Sequence, residues 1–208
     1  MIYDITPPIT EALAVFPGDT PLSREMLMDM AKGDPLTLST LRATVHLGAH
    51  ADGPNHYGTD ARAIDEQSLD HYLGRCVVIH VDVARGVRIK PEDLPEGIAE
   101  KRILIGTGTY PDPNRWNADF AALSPALVDR LHEDGVITVG IDTPSVDLCD
   151  SKDLPAHHRF LANDMAILEG IVLTDVPAGT YELIALPLRL VGFDASPVRA
   201  VLRSIPNR

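Results

Sequence analysis

The sequence predicts a mixed α/β layer protein, and three observations carry that expectation. Apolar, β-branched stretches suited to buried strands fall at residues 76–83, 103–105, 136–141, 171–175 and 181–186. Two helix starts marked by proline, Ser124-Pro125 and Pro155, lie between them. Strands outnumber helices and the early ones read as antiparallel, which excludes a regular βαβ repeat.

In chain order, residues 2–5 read as a first strand stopped by Pro7-Pro8. Phe16-Pro17-Gly18-Asp19-Thr20-Pro21 is dense in turn formers and predicts a loop. Strand-like stretches follow at 23–29 and 36–45, then a short helix over 68–73 with Gly74 just past its end. Ser124 can accept from a free backbone N–H while Pro125 lacks the donor that would go unpaired, so a helix runs from there to about Asp134, with Gly135 at its end. Pro155 opens a second helix carrying His157 and His158, which breaks before Ile167 and leaves Glu169 beyond its far end, before the strand at 171–175.

At 208 residues the chain is long enough for one domain with a proper core, spanning 1–208 without repeat, linker or low-complexity segment. A formal charge of −12 and no basic run argue against nucleic acid or anionic lipid as partners. No apolar run approaches the ~20 residues that span a bilayer, and the start Met1-Ile2-Tyr3-Asp4 is unlike a signal peptide, so a cytoplasmic location is the expectation. Cys76 and Cys149 lack metal or redox spacing and read as buried free thiols.

The segment from His46 to His56 holds most of the chemistry. It places His46, His50 and His56 with Asp52 inside eleven residues, together with Gly48, Gly53 and Pro54. The glycines and proline oppose a helix. All four positions are even, so extended chain would send them to one face. A straight strand would set residues 46 and 50 roughly 13 Å apart, too far to share one ion, so a bend at the glycines is required. His46, His50 and Asp52 then become metal ligands, with His56 a fourth ligand or a free acid/base. His157, His158 and Glu169 are the best candidates to complete the site, and Asp52 could bridge two ions. His71, His80 and His132 read as surface or hydrogen-bonded core histidines. A serine hydrolase is disfavoured because GxSxG is absent, and Gly106-Thr107-Gly108-Thr109 lacks the residues of a nucleotide loop.

The run His46-x-Gly48-Ala49-His50-x-Asp52-x-Pro54-x-His56 resembles the HxGTHxDxPxH signature of the cyclase-type metal-dependent hydrolases, and within them the kynurenine formamidase (arylformamidase) branch. The segments 16–21, 140–147 and 181–188 extend the resemblance over nearly the whole chain. It implies a swivelling β/β/α fold with a mixed sheet and a homodimer. It also implies two divalent ions, usually zinc, and hydrolysis of N-formylkynurenine to kynurenine and formate in tryptophan degradation. By the same resemblance His46, His50 and Asp52 hold one ion. Asp52, a histidine and a glutamate twelve positions apart hold the second, which selects His157 with Glu169. His56 is the implied proton carrier and Phe16 the substrate-stacking residue. Ala49 stands where the signature has Thr, and Phe16 where the formamidase loop has Trp. A lactam hydrolase of the isatin type and a non-catalytic metal-binding protein are the rival readings.

Overall fold

A computed structural model describes residues 1–205. Among them, nine strands form one mixed sheet: β1 (Ile2–Asp4), β4 (His50–Asp52), β5 (Leu73–His80), β7 (Arg102–Gly106), β9 (Thr138–Ile141), β10 (Ala166–Glu169), β11 (Gly179–Ile184), β12 (Ala195–Pro197) and β13 (Val201–Ser204). Their order is β1-β13-β11-β5-β7-β9-β10-β4-β12. β5, β7, β9 and β10 run parallel at the centre, and the flanking pairs are antiparallel. β2 (Ser23–Met28) and β3 (Leu38–Arg42) make a separate hairpin, and β6 (Arg88–Ile89) pairs with β8 (Ala122–Leu123). This is the mixed α/β architecture expected, with a large curled sheet and few helices.

The pleat divides the core into two layers. Ile103, Ile105, Val139, Ile141 and Ile167 face the helices α1 (Pro125–Glu133) and α2 (Pro155–Ala162), where Leu127, Val128, Leu131 and Phe160 cover them. Leu104, Ala166 and Leu168 point the other way, into a second apolar layer with Val78, Leu183 and Leu202. The first helix begins as its sequence dictates: Ser124 accepts from the Leu127 N–H, Pro125 follows, and Gly135 beyond the end takes φ +87°.

Several expectations need correction. Residues 68–73 form only a 3-10 turn, Leu69–His71, and Gly74 belongs to β5, where a side chain would meet the Arg102 guanidinium at 2.9 Å. Residues 171–175 form no strand; Ile171 and Leu173 are apolar because they fill the second core layer. Glu169 ends strand β10 rather than standing ahead of a strand. The short strands β6, β8, β12 and β13 carry no alternation that periodicity could detect. Cys76 is buried and Cys149 half-buried, both as free thiols. His71, half-buried, and His80, exposed, hydrogen-bond the carbonyls of Ile137 and Val176. No helix among the described residues is long and apolar enough to cross a membrane.

Candidate metal centre

The cluster between His46 and His56 is extended only over β4. His46 precedes it in a bend, Gly48 turns the chain at φ +59°, and His56 follows in the 3-10 turn Pro54–His56. The common face predicted for all four residues therefore holds within the strand only for His50 and Asp52. The bends bring in the other two: the ring centroids of His46 and His56 are 4.3 Å apart, and those of His46 and His50 5.0 Å. Ala49 and Ala51, of opposite parity, point into the second apolar layer. The departure at Ala49 therefore concerns core packing and not the ligand face.

Strand pairing supplies the distant residues. β10 lies antiparallel to β4 with Glu169 directly opposite His50, which puts the Glu169 carboxylate 3.3 Å from His50 Nε2. Gly170 permits this approach, since a Cβ there would stand 2.3 Å from the Gly48 carbonyl oxygen. The first turn of α2 carries His157 into the same space, its Nε2 3.7 Å from Asp52 and 3.6 Å from Glu169. His157 is buried and His158 exposed. Six of the residues singled out from the sequence thus converge: His46, His50, Asp52, His56, His157 and Glu169.

Two sets of three donors have their ligand atoms within 4.8 Å of one another: His46, Asp52 and His56, and His50, Asp52 and Glu169. Asp52 belongs to both. The first set draws His56 in beside possible ligands, the alternative left open by its sequence position. His157 falls in neither set.

The hydrogen-bond pattern fits cations here. His50 Nδ1 donates to the Gly48 carbonyl at 2.9 Å, which leaves Nε2 as the lone-pair nitrogen. That nitrogen is buried without a hydrogen bond and faces two carboxylates, an arrangement that is repulsive unless a positive charge lies between them. Asp52 is fully buried, and neither of its oxygens makes a hydrogen bond of normal geometry. Unpaired buried carboxylates are costly, and a metal ion is the usual remedy. Glu169 uses Oε1 to accept from the Val146 N–H at 2.7 Å and keeps Oε2 turned to His50.

The buried imidazoles and carboxylates shift one another's pKa values. Burial opposes charge on His157, but Asp147 and then Asp52 lift its pKa to about 10. Burial likewise opposes charge on His46, and Asp52 followed by Asp194 lifts it to about 9. Burial would raise the Asp52 pKa, yet His157 and His46 hold it well below the ordinary carboxylate value.

Sequence reasoning missed two acids. Asp194 takes His46 Nε2 at 3.0 Å and stands 3.6 Å from His56 Nδ1; it arrives because its neighbour Ala195 pairs with Asp52 across β12 and β4. No local motif marks it. Asp147 receives His157 Nδ1 at 2.8 Å. It closes the segment 140–147, but nothing in that segment states its partner.

A cavity of about 830 Å³ opens onto the cluster, with Phe16, Tyr110 and Trp116 in its wall and His46, His50, His56, His157 and Glu169 at its inner end. Phe16 packs edge-on against Trp116, the chain's one tryptophan, with centroids 5.0 Å apart. Tyr110 packs on Trp116 in turn at 6.0 Å. The indole missing from position 16 is thus present beside it, contributed by another loop. No lysine or arginine lies among the described residues that line the cavity.

The layered sheet and the buried carboxylate–imidazole cluster define a metal-dependent hydrolase type of centre, suited to a divalent ion. Comparison with known proteins agrees. The chain belongs to the Cyclase family, whose model matches residues 3–148. A structure described as a potential metal-dependent hydrolase with cyclase activity superimposes with TM-score 0.84 at 25% identity, covering 99% of each chain. A predicted metal-dependent hydrolase from Bacillus stearothermophilus gives 0.79 at 25% identity, covering 97% of each. Isatin hydrolase A from Labrenzia aggregata, bound to benzyl benzoate, shares the fold with TM-score 0.76 at 20% identity, over 97% of this chain and 93% of that one. The family match ends before His157 and Glu169, whereas the structural matches extend across them.

Proposed function

We propose that the chain is an arylformamidase that hydrolyses N-formylkynurenine to kynurenine and formate. The observation that carries this reading is the aromatic wall of Phe16 and Trp116 in a cavity that ends on the His–Asp–Glu cluster. Its volume of about 830 Å³ leaves room for a single-ring substrate with its side chain. In this reading His46, His50, Asp52, His157 and Glu169 hold two divalent ions, with zinc the expected metal. Such ions supply Lewis acidity and bring the pKa of a bound water towards neutrality.

The remaining steps belong to the protein's own side chains. Phe16 and Trp116 hold the aryl ring edge and face, leaving the small formyl group directed at the cluster. His56, at the open side of the cluster with its side chain 36% exposed, takes a proton from the attacking water. It returns that proton to the aryl nitrogen as the carbon–nitrogen bond breaks. The products are formate and the free aryl amine. A homodimer, a cytoplasmic setting and a single domain over 1–208 belong to the same reading.

A second reading, hydrolysis of a cyclic amide of the isatin type, is favoured by one observation: a cavity without lysine or arginine accepts a neutral substrate without an unpaired carboxylate. The two are separated by incubating zinc- and manganese-loaded protein with N-formylkynurenine and with isatin. The first reading requires kynurenine and formate to appear in stoichiometric amounts. Turnover of isatin alone would replace it with the second, and turnover of neither would sink both.

A further inference from the structure

We infer that Asp147 is a positioning residue that fixes the ring of His157 and so directs its Nε2 into the cluster. The carboxylate is fully buried and gathers four donor groups. The backbone N–H groups of Ala156 and His157 donate at 3.1 Å to Oδ2, and the Ala156 N–H also reaches Oδ1 at 3.2 Å. His157 Nδ1 donates to Oδ2 at 2.8 Å, and Arg88 Nη1 to Oδ1 at 2.6 Å.

The helix needs this acceptor from elsewhere. Leu154, the residue before α2, takes a left-handed conformation at φ +41° and has no side chain able to cap. Asp147, from the loop after β9, therefore performs the capping task that Ser124 performs locally for α1. The same oxygen that anchors the first turn also holds the imidazole that the turn carries. Backbone and ring are tied to one point, which leaves His157 little freedom about its side-chain torsions.

Orientation follows from donor chemistry. A carboxylate can only accept, so Nδ1 carries the proton and Nε2 is left as the nitrogen that faces Asp52 and Glu169. Arg88 completes the device: it neutralises Asp147 and is itself held by the Leu123 carbonyl and Ser151 Oγ. The carboxylate is thus held from one side by the guanidinium and from the other by the helix terminus and the imidazole. His50 and His46 are anchored in the same sense by the Gly48 carbonyl and Asp194, but only Asp147 joins an imidazole to a helix terminus and an arginine.

The inference rests on the metal-centre part of the proposed function and not on its substrate. Zinc affinity tests it, and a wrong substrate would leave zinc affinity untouched. In zinc-loaded wild-type protein with 15N-labelled histidine, nuclear magnetic resonance is expected to find His157 protonated on Nδ1 and unprotonated on Nε2. A proton on Nε2 overturns the assignment. Asp147→Asn keeps an oxygen for the helix N–H groups but removes the charge. It is expected to lower the metal-free melting temperature, because Arg88 loses its partner, and to weaken zinc binding roughly 10–100-fold in competition with a chromophoric chelator at a temperature where the metal-free variant is folded. In a His157→Gln background the same change should cost no further zinc affinity. Unchanged affinity in Asp147→Asn, or an equal loss with and without the imidazole, would show that Asp147 serves the fold alone.

Discussion

The two ends of the polar cluster differ in burial and in what their side chains are tied to. At the inner end His50, Asp52, His157 and Glu169 are at most 3% exposed, and each comes from a strand or a helix of the main fold. At the outer end His46, His56 and Asp194 sit in bends and turns, with side chains 15%, 36% and 47% exposed. The inner groups have lone pairs directed at one another, so they are arranged around charge that must be supplied. The outer groups can exchange protons with solvent, and they line the same cavity as Phe16 and Trp116. In the proposed reading the inner groups and His46 hold charge and His56 carries protons, with Asp52 common to both donor sets.

Three measurements break or sharpen that contrast, in order of expected effect. Asp52→Asn removes the charge shared by the two donor sets. Bound metal should fall close to zero and hydrolysis by about 10³-fold or more, read by atomic absorption and by product formation. A variant that keeps its full metal complement would remove Asp52 from the centre. His56→Ala should leave metal stoichiometry as in wild type and lower kcat by about 10²- to 10⁴-fold with little change in KM. Loss of metal from this variant would make His56 a ligand beside His46 and Asp52.

The third measurement is pH dependence. His46 and His157, raised to about 9 and about 10, both carry an extra proton at neutral pH in the metal-free protein. A bound cation must displace both protons, so metal affinity should climb with pH until those values are passed. Calorimetry in buffers of different ionisation enthalpy should count about two protons released per chain near pH 7 and fewer above pH 10. The same shifts act on folding with the opposite sign. Raised pKa values stabilise the metal-free protein fully below about 6.5, the ordinary histidine value, and that contribution is lost as pH rises through 9 to 10. The metal-free melting temperature should therefore fall over that window. A flat profile would mean that the inner carboxylates are balanced by something other than these imidazoliums.

What the sequence revealed follows the range of the interactions. His46, His50, Asp52 and His56 were legible because a single segment holds them, with the glycines that bend it. The α1 helix was legible because its stop and start signals are its own: Ser124, Pro125 and Gly135 act within a few residues of where they stand. Residues 171–175 misled because β-branched apolar character records burial, and a buried loop needs the same side chains as a buried strand. Glu169 and His157 emerged as possible ligands from composition, but their pairing came from family resemblance, since no local pattern states that Glu169 lies opposite His50.

The sequence by itself determined the chemical inventory of this protein: imidazoles and a carboxylate gathered between His46 and His56, a glycine bend, two capped or proline-led helices, and aromatic residues in loops. Tertiary structure alone decided which of these meet. Strand pairing depends on partners more than a hundred residues away, so the register that sets Glu169 beside His50 and Asp194 beside His46 exists only in the folded sheet. The same holds for Trp116 against Phe16 and for Asp147 beneath His157, where the contact is between loops whose local sequences carry no record of each other.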